Sequence, residues 1–132
     1  MIPVRCLAAA ATLAFPSFAH SSPLAYTCTV EHIYTVSDSG AIEISSFEKD
    51  MKGSSFSVSR VTGEIIGAVV PTLQSKSTRV VNKGTKQSAF KAVADFGEQY
   101  QLLEVQEFTL SEVKPFIAVS MGGAGIVTGT CK

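Results

Sequence analysis

Two histidines, three cysteines and abundant serine are the side chains in this sequence that chemistry usually recruits. Residue type alone is not a site, because a base, a nucleophile or a metal ligand needs partners at a spacing that brings them together. His32 falls on the apolar side of an alternating segment, and a second ligand is hard to find, since His20 lies where a leader would be cut. It reads as a satisfied histidine of the core or its rim. Asp38 shares one strand and turn with His32 and no serine stands out as a nucleophile, so no Ser-His-Asp triad is legible. Gly122-Gly123-Ala124-Gly125 is glycine-rich enough to cradle a phosphate, but such a loop must open the helix of a βαβ unit, and seven residues follow it. It reads as a hairpin turn. Zinc spacings, a P-loop, a Gly-x-Ser-x-Gly elbow and internal repeats are all missing from the sequence. The expectation is a non-enzymatic protein with no cofactor and no metal.

The cysteines carry a different message. Arg5 is the only charge before Glu31, residues 7–15 (LAAAATLAF) form a short apolar run, and Ser17-Phe18-Ala19 is a small-residue frame. That is the pattern of a secretory signal peptide, too short to span a bilayer, with cleavage expected after Ala19. Residues 20–132 then form a single domain with a net charge of about −1, too balanced to imply nucleic acid or an anionic membrane as partner. Cys6 leaves with the leader, and the remaining pair, Cys28 and Cys131, predicts one disulfide joining the first strand to the last. The expected location is the periplasm or the extracellular space, with no membrane span after cleavage.

The elements that would hold these residues are strands. Residues 55–68 (SFSVSRVTGEIIGA) read as a complete β-hairpin turning at Arg60-Val61-Thr62-Gly63. Residues 24–36 alternate as a long first strand, with Tyr26, Cys28, Val30, His32, Tyr34 and Val36 on one face. After the turn Asp38-Ser39-Gly40 a strand returns. Ser45-x-x-Glu48 matches a capping box for a short helix that would pack Phe47 and Met51, with Gly53 as its stop. Residues 69–77 predict an exposed crossing loop, residues 78–82 a strand, and Lys83-Gly84-Thr85 a turn. Residues 88–96 suit either a strand or a helix, and the strand is favoured by its surroundings. Residues 101–108 alternate until Phe108 falls out of phase, and residues 115–121 form a strand opened by proline. Together they predict an all-β fold, a small antiparallel meander closing as a barrel or folding as a sandwich, with one short helix.

Charge is distributed in blocks. Lys76, Arg79, Lys83, Lys86 and Lys91 are followed by Asp95, Glu98, Glu104, Glu107 and Glu112, without mixing. Pairing across adjacent strands would neutralise them, whereas separate patches would make the five acids a binding surface for a protein partner.

The strand and turn pattern from Phe56-x-Val58-x-Arg60-x-Thr62-Gly63 to Val127-Thr128-Gly129-Thr130-Cys131 resembles a family of small exported bacterial β proteins of uncharacterised activity. The ends, Tyr26-Thr27-Cys28 and Thr130-Cys131-Lys132, are similar to those of periplasmic C-type lysozyme inhibitors. The likeness implies export, β structure and, from the inhibitors, a basic protein partner. Three functions follow as expectations: a binding or interaction module, a lysozyme-inhibitor-like protein, or a carrier of small apolar ligands inside a barrel lined by Tyr26, Tyr34, Phe56 and Phe90.

Overall fold

In a computed structural model, which describes residues 24–67, 69–120 and 125–132, the hairpin forms as its sequence requires. β3 (Ser55–Ser59) and β4 (Ile65–Gly67) pair Phe56 with Gly67 and Val58 with Ile65, burying Phe56, Val58 and Ile65. β3 lies on β1 (Ala25–Val36), and the far half of β1 carries β2 (Ile42–Ile44). The helix α1 (Glu48–Met51) sits between β2 and β3. The rest is a meander of β5 (Ser77–Thr85), β6 (Ser88–Asp95), β7 (Tyr100–Val105), β8 (Lys114–Ser120) and β9 (Gly125–Cys131). β9 returns to β1, giving the order β4-β3-β1-β9-β8-β7-β6-β5, all antiparallel. The all-β class and the short helix are as expected. Of the two expected forms the barrel is the one approached: one antiparallel sheet curls into a half-barrel, with no ladder between β4 and β5 among the described residues.

The inner face is packed solid. Phe90, Leu103, Val30, Val58 and Val105 are fully buried, with edge-on ring contacts between Tyr26 and Phe90 (5.2 Å) and between Phe56 and Phe116 (5.1 Å). Cys28 and Cys131 face each other in the ladder and form a buried disulfide. Beside them β1 comes so close to β9 that a Cβ on Gly129 would collide with the Thr29 carbonyl oxygen and stand 2.8 Å from the Phe116 ring.

Several local expectations are corrected, each for a physical reason. A bulge between Val30 and His32 shifts the phase of β1, so Ile33 turns inward while His32, Tyr34 and Val36 turn out, away from the face of Tyr26 and Cys28. Glu48 does not complete a capping box: it accepts a hydrogen bond from the Ile33 amide at 3.1 Å, serving that bulge, and no side chain caps α1. Met51 packs against the core, but Phe47 is exposed. β5 runs through Lys83-Gly84-Thr85 and turns at Lys86-Gln87, because the Asn82 side chain accepts the Gly84 amide and lets the strand bend without reversing. The crossing loop is partly inside, with Val69 and Thr72 buried and the Thr72 hydroxyl accepting the Ile65 amide at 2.8 Å. Residues 88–96 resolve as strand β6, and β7 ends at Val105, leaving Phe108 in a loop rather than in a bulged strand. β8 opens at Lys114, one residue before the proline. The signal peptide, the cleavage site and most of the glycine cluster lie outside the described residues.

The outer face shows a pattern that alternation alone does not predict. Ile44, Tyr34, Ile126, Val119, Leu102 and Val93 are successive cross-strand partners through β2, β1, β9, β8, β7 and β6, forming one apolar row. The Val36–Ile42 pair lies beside it on the β1–β2 hairpin.

Replacing both cysteines of the disulfide with serine is expected to lower unfolding free energy by up to about 4.7 kcal/mol in the chain-entropy limit for a loop of roughly 100 residues. Gly129→Ala should cost about 1–3 kcal/mol through overpacking. Urea unfolding followed by circular dichroism measures both, and an unchanged midpoint for either would contradict this account of the β1–β9 contact.

Candidate binding groove at the open end of the sheet

Tyr26, Arg60 and Glu107 come from three distant segments and meet at one end of the curl. Tyr26 is on the inner face of β1, Arg60 follows β3 with its amide bonded to the Leu24 carbonyl at 2.8 Å, and Glu107 lies just beyond β7. Gly84 makes room for Glu107, since a Cβ there would lie 3.0 Å from that of Glu107 and 2.9 Å from the Phe90 nitrogen. The Tyr26 hydroxyl donates to Glu107 Oε2 at 2.5 Å, Arg60 Nη2 stands 3.9 Å from Glu107 Oε1, and the guanidinium sits 4.6 Å above the Tyr26 ring. Burial, and then the carboxylate beside it, hold the Tyr26 hydroxyl well above the usual phenol range. The trio fixes this end of the sheet in one arrangement.

Around it opens a groove of about 620 Å³ lined by Tyr26, Arg60, Glu107, Leu110, Val113, Lys114 and Lys132. A neighbouring hollow of about 470 Å³ shares Arg60, Glu107, Leu110 and Lys114 and adds Lys86 and Phe108. The loop between β7 and β8 forms the outer wall, held by the Lys114 ammonium, which donates to the Thr109 carbonyl at 2.5 Å. Lys132 is placed by a pair of backbone hydrogen bonds with Thr27, at 3.0 and 2.9 Å.

The five acids are not brought together. Asp95 and Glu98 stand at the β6–β7 turn, with the Asp95 carboxylate accepting the Gly97 amide at 2.7 Å. Glu104 is on the outer face, 3.7 Å from Lys91, its partner in the ladder. Glu107 and Glu112 are at the opposite end of β7, in the groove. His32 Nδ1 is 3.7 Å from Glu48 Oε2 at the rim of the sheet. No group of three metal-ligating side chains occurs among the described residues, and none of their helices is long and apolar enough to cross a membrane. The groove itself was not legible in sequence, because its members are separated by strands and share no local spacing.

Compared with known protein families, curated proteins and solved structures, the chain matches none of them.

Because Tyr26 holds its proton more tightly folded than unfolded, its contribution to stability is complete below pH 10 and falls as pH rises beyond the unfolded phenol value of 10.0. Ultraviolet titration should show one of the three tyrosines ionising late, and Tyr26→Phe should remove that step and flatten the alkaline loss of stability. Three phenols ionising together would contradict the buried pairing with Glu107.

Proposed function

We propose that the chain is an exported, non-enzymatic interaction module that docks a protein partner on the outer face of its sheet. The leader-like segment and the disulfide support export, since such bonds persist in oxidising compartments. The observation that carries the docking reading is a contiguous uncharged stretch of that face. The row Ile44, Tyr34, Ile126 and Val119 is flanked by Val36 and Ile42 on one side and by His32, Thr128 and Ile117 on the other. Charge borders this stretch at Glu31, exposed at the β1 bulge beside His32, at the Glu104–Lys91 pair, at Asp95 and at Arg79, which is the β5 partner of Val93. An antiparallel sheet facing water is ordinarily polar on that side, and depletion of charge around aromatic and branched residues marks the centre of an interface. Ile42 and Ile44 remain 65% and 67% exposed, so nothing within the described residues covers them. The fitting partner is a protein with an apolar, uncharged surface.

The interior-carrier reading has less support, because the hollow behind Ile65, Ala92 and Leu103 has about 0 Å³ open to water. The lysozyme-inhibitor reading would place binding on the acids instead.

A photoreactive residue at position 126 should cross-link one partner in the native exported fraction. The purified pair should then bind with little dependence on salt, and Ile126→Lys should weaken it by about tenfold or more while leaving the circular dichroism spectrum unchanged. Adducts only with a second copy of the chain would overturn the reading. So would binding to a lysozyme that fades with salt and with Glu104→Gln and Glu107→Gln.

A further inference from the structure

We infer that the groove at the open end is a second binding site, for a small amphipathic anion, a carboxylate or phosphate head on a hydrocarbon body. This site is independent of the outer face and shares no residue with it. Its volume of about 620 Å³ is within the range of small-ligand sites, and it is open on one side, so a ligand can enter without the fold parting.

The polarity of the lining sets the ligand's head group. Glu107 is already engaged through both oxygens, by Tyr26 and by Arg60. Lys86, Lys114 and Lys132 have no carboxylate within ion-pairing distance among the described residues, and one other acid, Glu112, lines the groove. In the groove Lys114 and Lys132 face one uncommitted side-chain carboxylate, Glu112, and Lys86 adds a third ammonium in the adjoining hollow, so an anion is the favoured guest. Lys114 is already oriented by its bond to the Thr109 carbonyl, so less of its freedom is lost on binding, and the Thr27 backbone pair fixes the point from which the Lys132 side chain extends.

The apolar part of the lining sets the body. Leu110 protrudes from the β7–β8 loop fully exposed, while lining both hollows, and Phe108 and Val113 stand on the same wall. A leucine held at the lip of a cationic groove, with no packing partner of its own, suits a hydrocarbon body whose head reaches the lysines.

Titration of the mature protein with decanoate, decyl phosphate, decanol, decyltrimethylammonium and acetate, followed by heat and by amide shifts, tests this. Both decyl anions should bind and shift residues 107–114, with the stronger one identifying the head group. Decanol and the decyl cation should be about tenfold weaker, and acetate should not bind. Lys86→Gln with Lys132→Gln should weaken the anions about tenfold and leave decanol unchanged, while Leu110→Ser should weaken every decyl ligand. Equal binding of anion, alcohol and cation would overturn the inference, as would anion binding indifferent to the lysine substitutions. Shifts centred on Ile126 would assign the ligand to the outer face instead, leaving the groove without one.

Discussion

The antiparallel ladder between β1 and β9 is the contact on which the rest of the molecule depends. β1 anchors the first strands of the chain and β9 closes the last five, so this ladder makes one sheet of two. The paired residues are about a hundred positions apart, and the contacts across the ladder must offset the entropy of bringing them together. Three features of the sequence lower that cost or secure the result. Cys28 and Cys131 tie the register, Gly129 permits the close backbone approach, and Thr27 exchanges hydrogen bonds with Lys132 just beyond the disulfide.

The groove follows from the same seam. Tyr26 is two residues from Cys28 and Lys132 one residue from Cys131, so the ladder brings them to one end of the curl. The meander delivers Glu107 there and the hairpin turn delivers Arg60. A buried phenol must find an acceptor, and a partly buried carboxylate must find a cation. Each of the three answers the need of another, so this wall of the groove is held by contacts among its own residues.

How much of this was legible in sequence depends on how local the signal was. Period-two alternation located β3, β4 and β6 and most of β1, and the choice of strand for residues 88–96 was right because its neighbours were strands. The pairing of Cys28 with Cys131 followed from counting. What failed were features fixed across the ladder. The β1 bulge reverses the faces of Tyr34 and Val36 relative to Tyr26, and nothing within the strand announces it. Glycine at position 84 looked like a turn, yet it serves the close packing of Phe90 and Glu107. Glu48 matched a capping pattern but found its donor on another strand, at Ile33. The five acids formed a block in sequence and separate in space because β7 carries its two ends to opposite sides of the fold.

The outer apolar row could be attributed to weak selection on an unimportant surface, but the neighbouring edge argues against that. β5 is a free edge nine residues long, the element of this sheet most exposed to unwanted pairing. It carries Arg79 and Lys83 and is broken by a bulge between Val80 and Asn82, and both devices blunt strand-to-strand association. The same sequence that spends charge on this edge places none on the outer face of β2, β9 and β8, where Ile42, Ile44, Ile126, Val119 and Ile117 stand in register. Edge charge prevents open-ended growth of the sheet, whereas an apolar patch bounded by a charged rim permits a contact of limited extent. Protection at the edge combined with apolarity on the face fits the proposed docking surface better than neglect, because the sheet is guarded where it could extend and bare where a bounded contact could form.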